Sequence, residues 1–234
     1  MKPAPDLILQ QLEPHAVRIA TRKRQKIALT GEPDETLYLV RKGLFLARAS
    51  MPHARHQIMS ILYPGDCVRS AAMPPLDGSE ITAATESGEV WRVRWSAAKT
   101  AMETDPNLAR YVSDRVANQT ARLALHNAII AGLTGEERVA ALITELVLRI
   151  GKQTPAGFVF DMPLSRTDIA EHLALNADTV SRIVSRMRAK GLIAVAGRNR
   201  LVCRSIEMLE SECPLATTLE RMHGTAVRQP LPAI

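Results

Sequence analysis

The chain has 234 residues, 46% of them hydrophobic and 23% charged, which is enough apolar material to bury the cores of two modest domains. No apolar run approaches the roughly eighteen residues that span a bilayer. Nothing after Met1-Lys2-Pro3-Ala4-Pro5 has the form of a signal segment, so a cytoplasmic protein with no membrane partner is expected. Cys67, Cys203 and Cys213 are odd in number, widely spread and free of any C-x-x-C pair, which argues against a disulfide framework or a cysteine metal centre; no cofactor is expected.

From the N-terminus, Asp6 to Thr21 reads as a short amphipathic helix with Leu7, Ile8, Leu12, Val17 and Ile19 on its apolar side and Pro14 limiting its regularity. Short β-type runs follow at Gln25 to Leu29, Thr36 to Val40, Leu44 to Ala49, Gln57 to Leu62, Glu80 to Thr85 and Val90 to Trp95. Gly31-Glu32-Pro33-Asp34, Lys42-Gly43, Pro64-Gly65-Asp66 and Pro74 to Gly78 punctuate them, as in a small antiparallel barrel or sandwich.

After Pro106 a helical pattern runs to about Ile130. Ala109, Val112, Val116, Gln119, Leu123, His126 and Ile130 recur three and four residues apart, the spacing of a coiled-coil seam, and the simplest partner is a second copy of the chain. His126 reads as a polar, register-setting member of that seam. Thr134-Gly135-Glu136-Glu137 supplies a capping box for a helix to about Ile150, Gly151 to Ala156 is loop, and Phe158 to Met162 forms a short strand.

Leu164 to Leu192 then reads as helix, three-residue turn and helix. Ser165 and Asn176 are the caps, Gly191 is the stop, and one apolar stripe runs through Ile169, Ala170, Leu173, Leu175, Val180, Ile183 and Met187. The opposite face of the second helix carries Ser181, Arg182, Arg186 and Lys190, a basic and hydroxyl-bearing front suited to the major groove of DNA. Leu192 to Val195 and Arg200 to Arg204 read as a hairpin across Gly197-Arg198-Asn199, which makes the unit a winged helix. Glu207 to Ile234 is expected to hold a short helix and then a mobile tail.

Charge singles out the same region. Between Asp178 and Arg204 lie seven of the 30 basic residues and one of the 24 acidic ones, so this segment alone carries the net charge of +6. A block of one sign that begins on a recognition helix is the footprint expected for phosphate backbone. Arg182 suits the O6 and N7 acceptors of guanine, and Asp178 one turn earlier suits the N4 donor of cytosine or can orient the guanidinium. Asp178, Ser181 and Arg182 are therefore the expected base contacts, with Ser165, Thr179, Arg186, Arg198 and Arg200 on phosphates. The seam is expected at Val112, Val116, Gln119, Leu123, His126 and Ile130. No P-loop, metal-spaced cluster or activated nucleophile points to an enzyme.

From Ile8 to Ile206 the chain resembles the Crp/Fnr superfamily of bacterial transcription regulators. Asp178-Thr179-Val180-Ser181-Arg182 stands where that family has E-T-[VI]-[SG]-R; the run from Leu37 to Gly43 and Leu62-Tyr63-Pro64-Gly65-Asp66 look like its roll signatures. The resemblance implies an α+β protein in four parts: a β-roll (cyclic-nucleotide-binding-like jelly roll) sensor over 1–105, a dimerisation helix over 106–131, a winged helix-turn-helix over 132–208 and a tail over 209–234. It implies a homodimer on a palindromic operator in double-stranded DNA that contacts RNA polymerase, and the Ser-Arg pair resembles the Fnr-like branch with its TTGA-type half-sites.

The sequence departs from the family at several points. Asp178 is one methylene shorter than the usual Glu, Ala174 stands at a turn position usually held by Gly, and Ala177 is too short to read a base. The glutamate and arginine that hold cyclic AMP and the cysteine cluster of the iron–sulfur members are missing, so the sensor is expected to be ligand-free or to take an effector of another kind. Within the family the alternatives are haem through His126, His53 or His56 and a thiol switch at Cys203. From a different class, the alternative is a roll-type regulatory module that does not bind DNA.

Overall fold

The computed structural model describes residues 8–29, 34–51, 55–72, 78–197 and 199–224. The chain forms two compact units, residues 1–123 and 124–234.

The first unit begins with a 3-10 turn, Gln10–His15, and eight strands: β1 Ala16–Arg22, β2 Lys26–Ala28, β3 Thr36–Lys42, β4 Phe45–Met51, β5 Arg55–Leu62, β6 Cys67–Arg69, β7 Glu80–Ala83 and β8 Ser87–Arg94. They pair antiparallel in two sheets, β1-β8-β3-β6 and β2-β7-β4-β5. Helix α1 (Trp95–Thr104) and the long α2 (Pro106–Gly132) follow. β3 explains its own uninterrupted apolar run, because both its faces are buried. Tyr38 and Val40 join Phe45, Leu62, Val68, Ile81 and Val90 between the sheets. Leu37 and Leu39 meet Leu12, Trp91, Val93, Ala98, Leu108, Tyr111 and Val112 beneath the helices. Gly43 turns β3 into β4 at φ +79°, where a Cβ would lie 2.4 Å from Thr85 Oγ1.

Arg122 fastens α2 to the turn after β5. Its Nη1 lies 2.6 Å from Asp66 Oδ2, its Nη2 donates to the Ile61 carbonyl, and its guanidinium sits 5.2 Å from the Tyr63 ring centroid. Tyr63 N also donates to Asp66 Oδ2, so the buried carboxylate is shared between two donors.

The second unit contains α3 (Gly135–Ile150), β9 (Lys152–Thr154), β10 (Gly157–Asp161), α4 (Arg166–Leu173), α5 (Ala177–Ala189), β11 (Ala194–Ala196), β12 (Arg200–Cys203), α6 (Ile206–Ser211) and α7 (Ala216–His223). Its sheet runs β11-β12-β10-β9, the first pair being the wing. Thr134 and Glu137 form the capping box of α3, and Ser165 and Asp168 form one for α4.

Several expectations change. The stretch expected as one helix from Asp6 to Thr21 has a 3-10 turn through Pro14 and becomes β1 at Ala16, because Val17, Ile19 and Thr21 alternate along a strand paired with β8; residues 6 and 7 lie outside the described residues. Gly151 to Ala156 contains the strand β9 rather than loop alone. The tail region holds two helices, not one; residues 225–234, where the mobile tail was expected, lie outside the described residues.

Candidate nucleic-acid interface

The second helix of the helix-turn-helix, α5, starts at Asn176, whose Oδ1 accepts from Thr179 N at 2.7 Å. Its back is buried through Val180, Ile183, Val184 and Met187. That leaves Asp178, Ser181, Arg182, Ser185 and Arg186 exposed. Ser181 Oγ donates to Ala177 O at 2.9 Å, so its lone pairs are what it offers outward. The turn into α5 passes through Ala174 in the left-handed region, φ 52° and ψ 47°.

Arg138 positions this turn from α3. Its Nε donates to Leu133 O at 2.9 Å and its Nη1 to Leu173 O at 3.1 Å, so one guanidinium ties the residue before the α3 cap to the end of α4. Sequence reasoning missed it, since an arginine in the first turns of a helix has no pattern of its own.

Arg182 has no ion pair and no side-chain hydrogen bond among the described residues, and neither has Asp178. The orienting contact expected from Asp178 to Arg182 is therefore not made in the free chain; both side chains point to solvent, where such a pair gains little. Other bases of the block are paired. Arg186 Nη2 lies 2.8 Å from Glu136 Oε1, Lys190 Nζ 3.0 Å from Glu212 Oε2, and Arg200 Nε 3.2 Å from Asp161 Oδ1. Ser165 has its hydroxyl engaged with Asp168 in the capping box, and Thr179 lies half-buried in the first turn of α5. Arg198 lies outside the described residues. Burial, and then the charge of Arg188, lower the pKa of Arg166 at the start of α4, so two further cations share this surface.

Along α2 the expected seam divides. Val112 is buried in the core of the first unit, with Val116 packed against that core, so Val112 has no face left for a partner. Gln119 and Ile130 are half-buried and Leu123 is exposed. His126 stacks on His172 of α4, ring centroids 4.2 Å apart and planes 12° from parallel. Burial, then the neighbouring His172, pushes the His126 pKa down to about 4 against a weaker opposing pull from Glu145. His126 is thus held inside the second unit rather than on an open seam.

The residues weighed for haem or thiol sensing have other surroundings. His56 lies 3.5 Å from Ser50 Oγ, and His53 is outside the described residues. Cys203 is buried in β12, and its thiol, pushed up to about 11 by burial, donates to Ser205 O; such a thiol is poorly reactive. Among the described residues no group of three or more His, Cys, Asp or Glu side chains is arranged to hold a metal ion, and no helix is long and apolar enough to cross a membrane.

Comparison with known proteins agrees with this geometry. Residues 137–212 match the Crp-like helix-turn-helix domain. A probable transcriptional activator of Rhizobium leguminosarum is 25% identical over 203 residues, covering 86% of this chain and 83% of that protein. The transcriptional activator protein anr of Pseudomonas aeruginosa is 23% identical over 195 residues, covering 83% and 78%. Among solved structures, FixK2 from Bradyrhizobium japonicum superposes with a TM-score of 0.73 at 26% identity, over 85% of this chain and 97% of that one.

Proposed function

Since the chain belongs to the Crp/Fnr superfamily and is a DNA-binding transcription regulator, we propose that it acts as a homodimer on a palindromic operator with TTGA-type half-sites. The observation that carries this reading is the front of α5, where Arg182 stands exposed, and unpaired among the described residues, beside Ser181 on a helix whose back is buried. A guanidinium held in that way is free to donate bidentately to guanine. Ser181 and Asp178 lie beside it as the other base contacts, while Thr179, Arg186, Arg198 and Arg200 take phosphates, and Ser165 does so by turning its hydroxyl from Asp168.

In this reading residues 1–105 are the sensor, 106–131 the dimerisation helix, 132–208 the DNA-binding domain and 209–234 a tail. The protein works in the cytoplasm, performs no enzymatic step and meets RNA polymerase at the promoter. The sensor is either ligand-free or takes an effector other than cyclic AMP. The interior between its sheets is filled by Tyr38, Phe45, Leu62 and their neighbours, and Arg122 and Asp66 neutralise one another beside it.

Selection of bound sites from random DNA, run in parallel for the parent and Arg182→Ala, tests the proposal. The parent is expected to enrich an inverted repeat with a guanine in each half-site. Arg182→Ala is expected to lose about 1–3 kcal/mol and to relax preference at that guanine. Enrichment of no repeat, or equal losses on selected and scrambled DNA, overturns it.

A further inference from the structure

The ion pair between Arg186 and Glu136 joins the recognition helix to the helix behind it. Arg186 lies one turn beyond Arg182 on α5, and Glu136 lies in the first turn of α3. The contact is 2.8 Å, with both side chains about half exposed, at 56% and 45%. Two facts make the acid conspicuous. It adds little to the fold, because an exposed pair gains little in water and because capping of α3 is carried by Thr134 and Glu137. It also sets a negative charge directly on Arg186, a residue read here as a phosphate contact.

From this geometry we infer that Glu136 is an electrostatic brake on DNA binding, competing with backbone phosphate for the guanidinium of Arg186. The inference rests on the reading of α5 as the DNA-facing helix. Arg186 is bound to Glu136 in the free protein, so a phosphate has to displace a carboxylate that then remains within a few ångströms of it. The cost falls equally on every sequence, because phosphates are the same everywhere. Glu136 therefore sets overall affinity while leaving to Arg182 the difference between operator and other DNA. Glu212 on Lys190 and Asp161 on Arg200 are further acid–base pairs of the same basic block, at 3.0 and 3.2 Å.

Titration of the full-length protein against an operator duplex and a scrambled duplex, at several salt concentrations, tests this. Glu136→Gln is expected to tighten both by a common factor of about twofold to fivefold per subunit at low salt. It is also expected to steepen the dependence of log K on log salt by about one phosphate contact per subunit. Glu136→Asp keeps the charge and is expected to bind as the parent does. In the Arg186→Ala background, Glu136→Gln is expected to lose its gain, which separates competition for Arg186 from a general change in net charge. Unchanged or weaker binding by Glu136→Gln with an unchanged melting temperature overturns the inference. So does a gain that persists without Arg186. An Arg182→Ala control binding operator and scrambled duplex with unequal losses shows that the α5 reading stands even where the brake fails; equal losses sink the reading itself.

Discussion

At the scale of single residues, Ala174 is, with Arg24 at φ 68°, one of the two non-glycine positions among the described residues where the backbone takes a positive φ. The turn between α4 and α5 needs a left-handed residue, and a Cβ there crowds the following carbonyl, costing roughly 1–2 kcal/mol relative to an ordinary conformation. The turn forms nonetheless because its neighbours over-determine it. Leu175 N donates to Ala170 O at 3.0 Å, Arg138 holds the Leu173 carbonyl, and Leu173 itself is buried. Replacing Ala174 by glycine removes the strain and gives back part of it as chain entropy. Ala174→Gly is therefore expected to stabilise the protein by about 0.5–1 kcal/mol. A urea midpoint that is unchanged or lower contradicts this account.

At the scale of elements, legibility followed signal strength. The helix-turn-helix was readable because three signals coincide: caps at Ser165 and Asn176, a stripe of apolar residues at helical spacing, and one-sign charge on the opposite face. β3 was readable from Leu37, Tyr38, Leu39 and Val40, since a strand buried on both faces needs no alternation. Elements that were missed lack such marks. α1 opens at Arg94 without a side-chain cap and buries only Ala98. α7 opens at Leu215 without one either, and β6 is three residues long. β1 was misread because Leu7, Ile8 and Leu12 run into Val17 and Ile19 with only Pro14 to mark the change, and the pairing of β1 with β8 is set some seventy residues away. At the site, the exposed front of α5 was legible, whereas the acids that hold its bases were not. Glu136, Asp161 and Glu212 come from α3, β10 and the residue after α6, and no local pattern announces them.

The stacked histidines belong to this scale too, because they join α2 to α4. His126 stacks on His172 of α4 and feels the charge of Glu145 on α3, whose Oε1 lies 4.0 Å from Nε2 of His223 on α7. With the pKa of His126 lowered from 6.5 to about 4, the folded state keeps this ring neutral over a range in which the unfolded chain takes up a proton. The unfolded state then binds more protons, so stability rises with pH across that window and is lost as pH falls from about 6.5 to about 4. His126→Phe retains the stack and removes the titration. Its melting temperature is expected to fall less than that of the parent across this interval, with the two converging at neutral pH. Parallel curves for the two proteins would contradict the role given to burial of this imidazole.

At the scale of the whole molecule, the proposed dimer has to use the part of the α2 seam that the fold leaves open. Val112 does not test it, since Val112 is buried against Leu108, Tyr111 and Trp91, and truncating it would weaken the first unit whatever the oligomeric state. Leu123 does test it, being 37% exposed and touching none of the described cores. Across a two-fold axis a seam residue meets its own copy or a near neighbour, so Leu123→Glu sets like charges against each other and removes apolar area at the same point. In the single chain the same change alters an exposed position and is expected to shift stability by less than about 0.5 kcal/mol. Sedimentation of Leu123→Glu is therefore expected to show monomers at concentrations where the parent is dimeric. Affinity for a full operator should collapse toward that for a half-site, and the slope of log K against log salt should fall by about half, because each subunit then brings only its own phosphate contacts. A variant that remains dimeric and keeps the operator affinity of the parent would place the interface elsewhere on the chain.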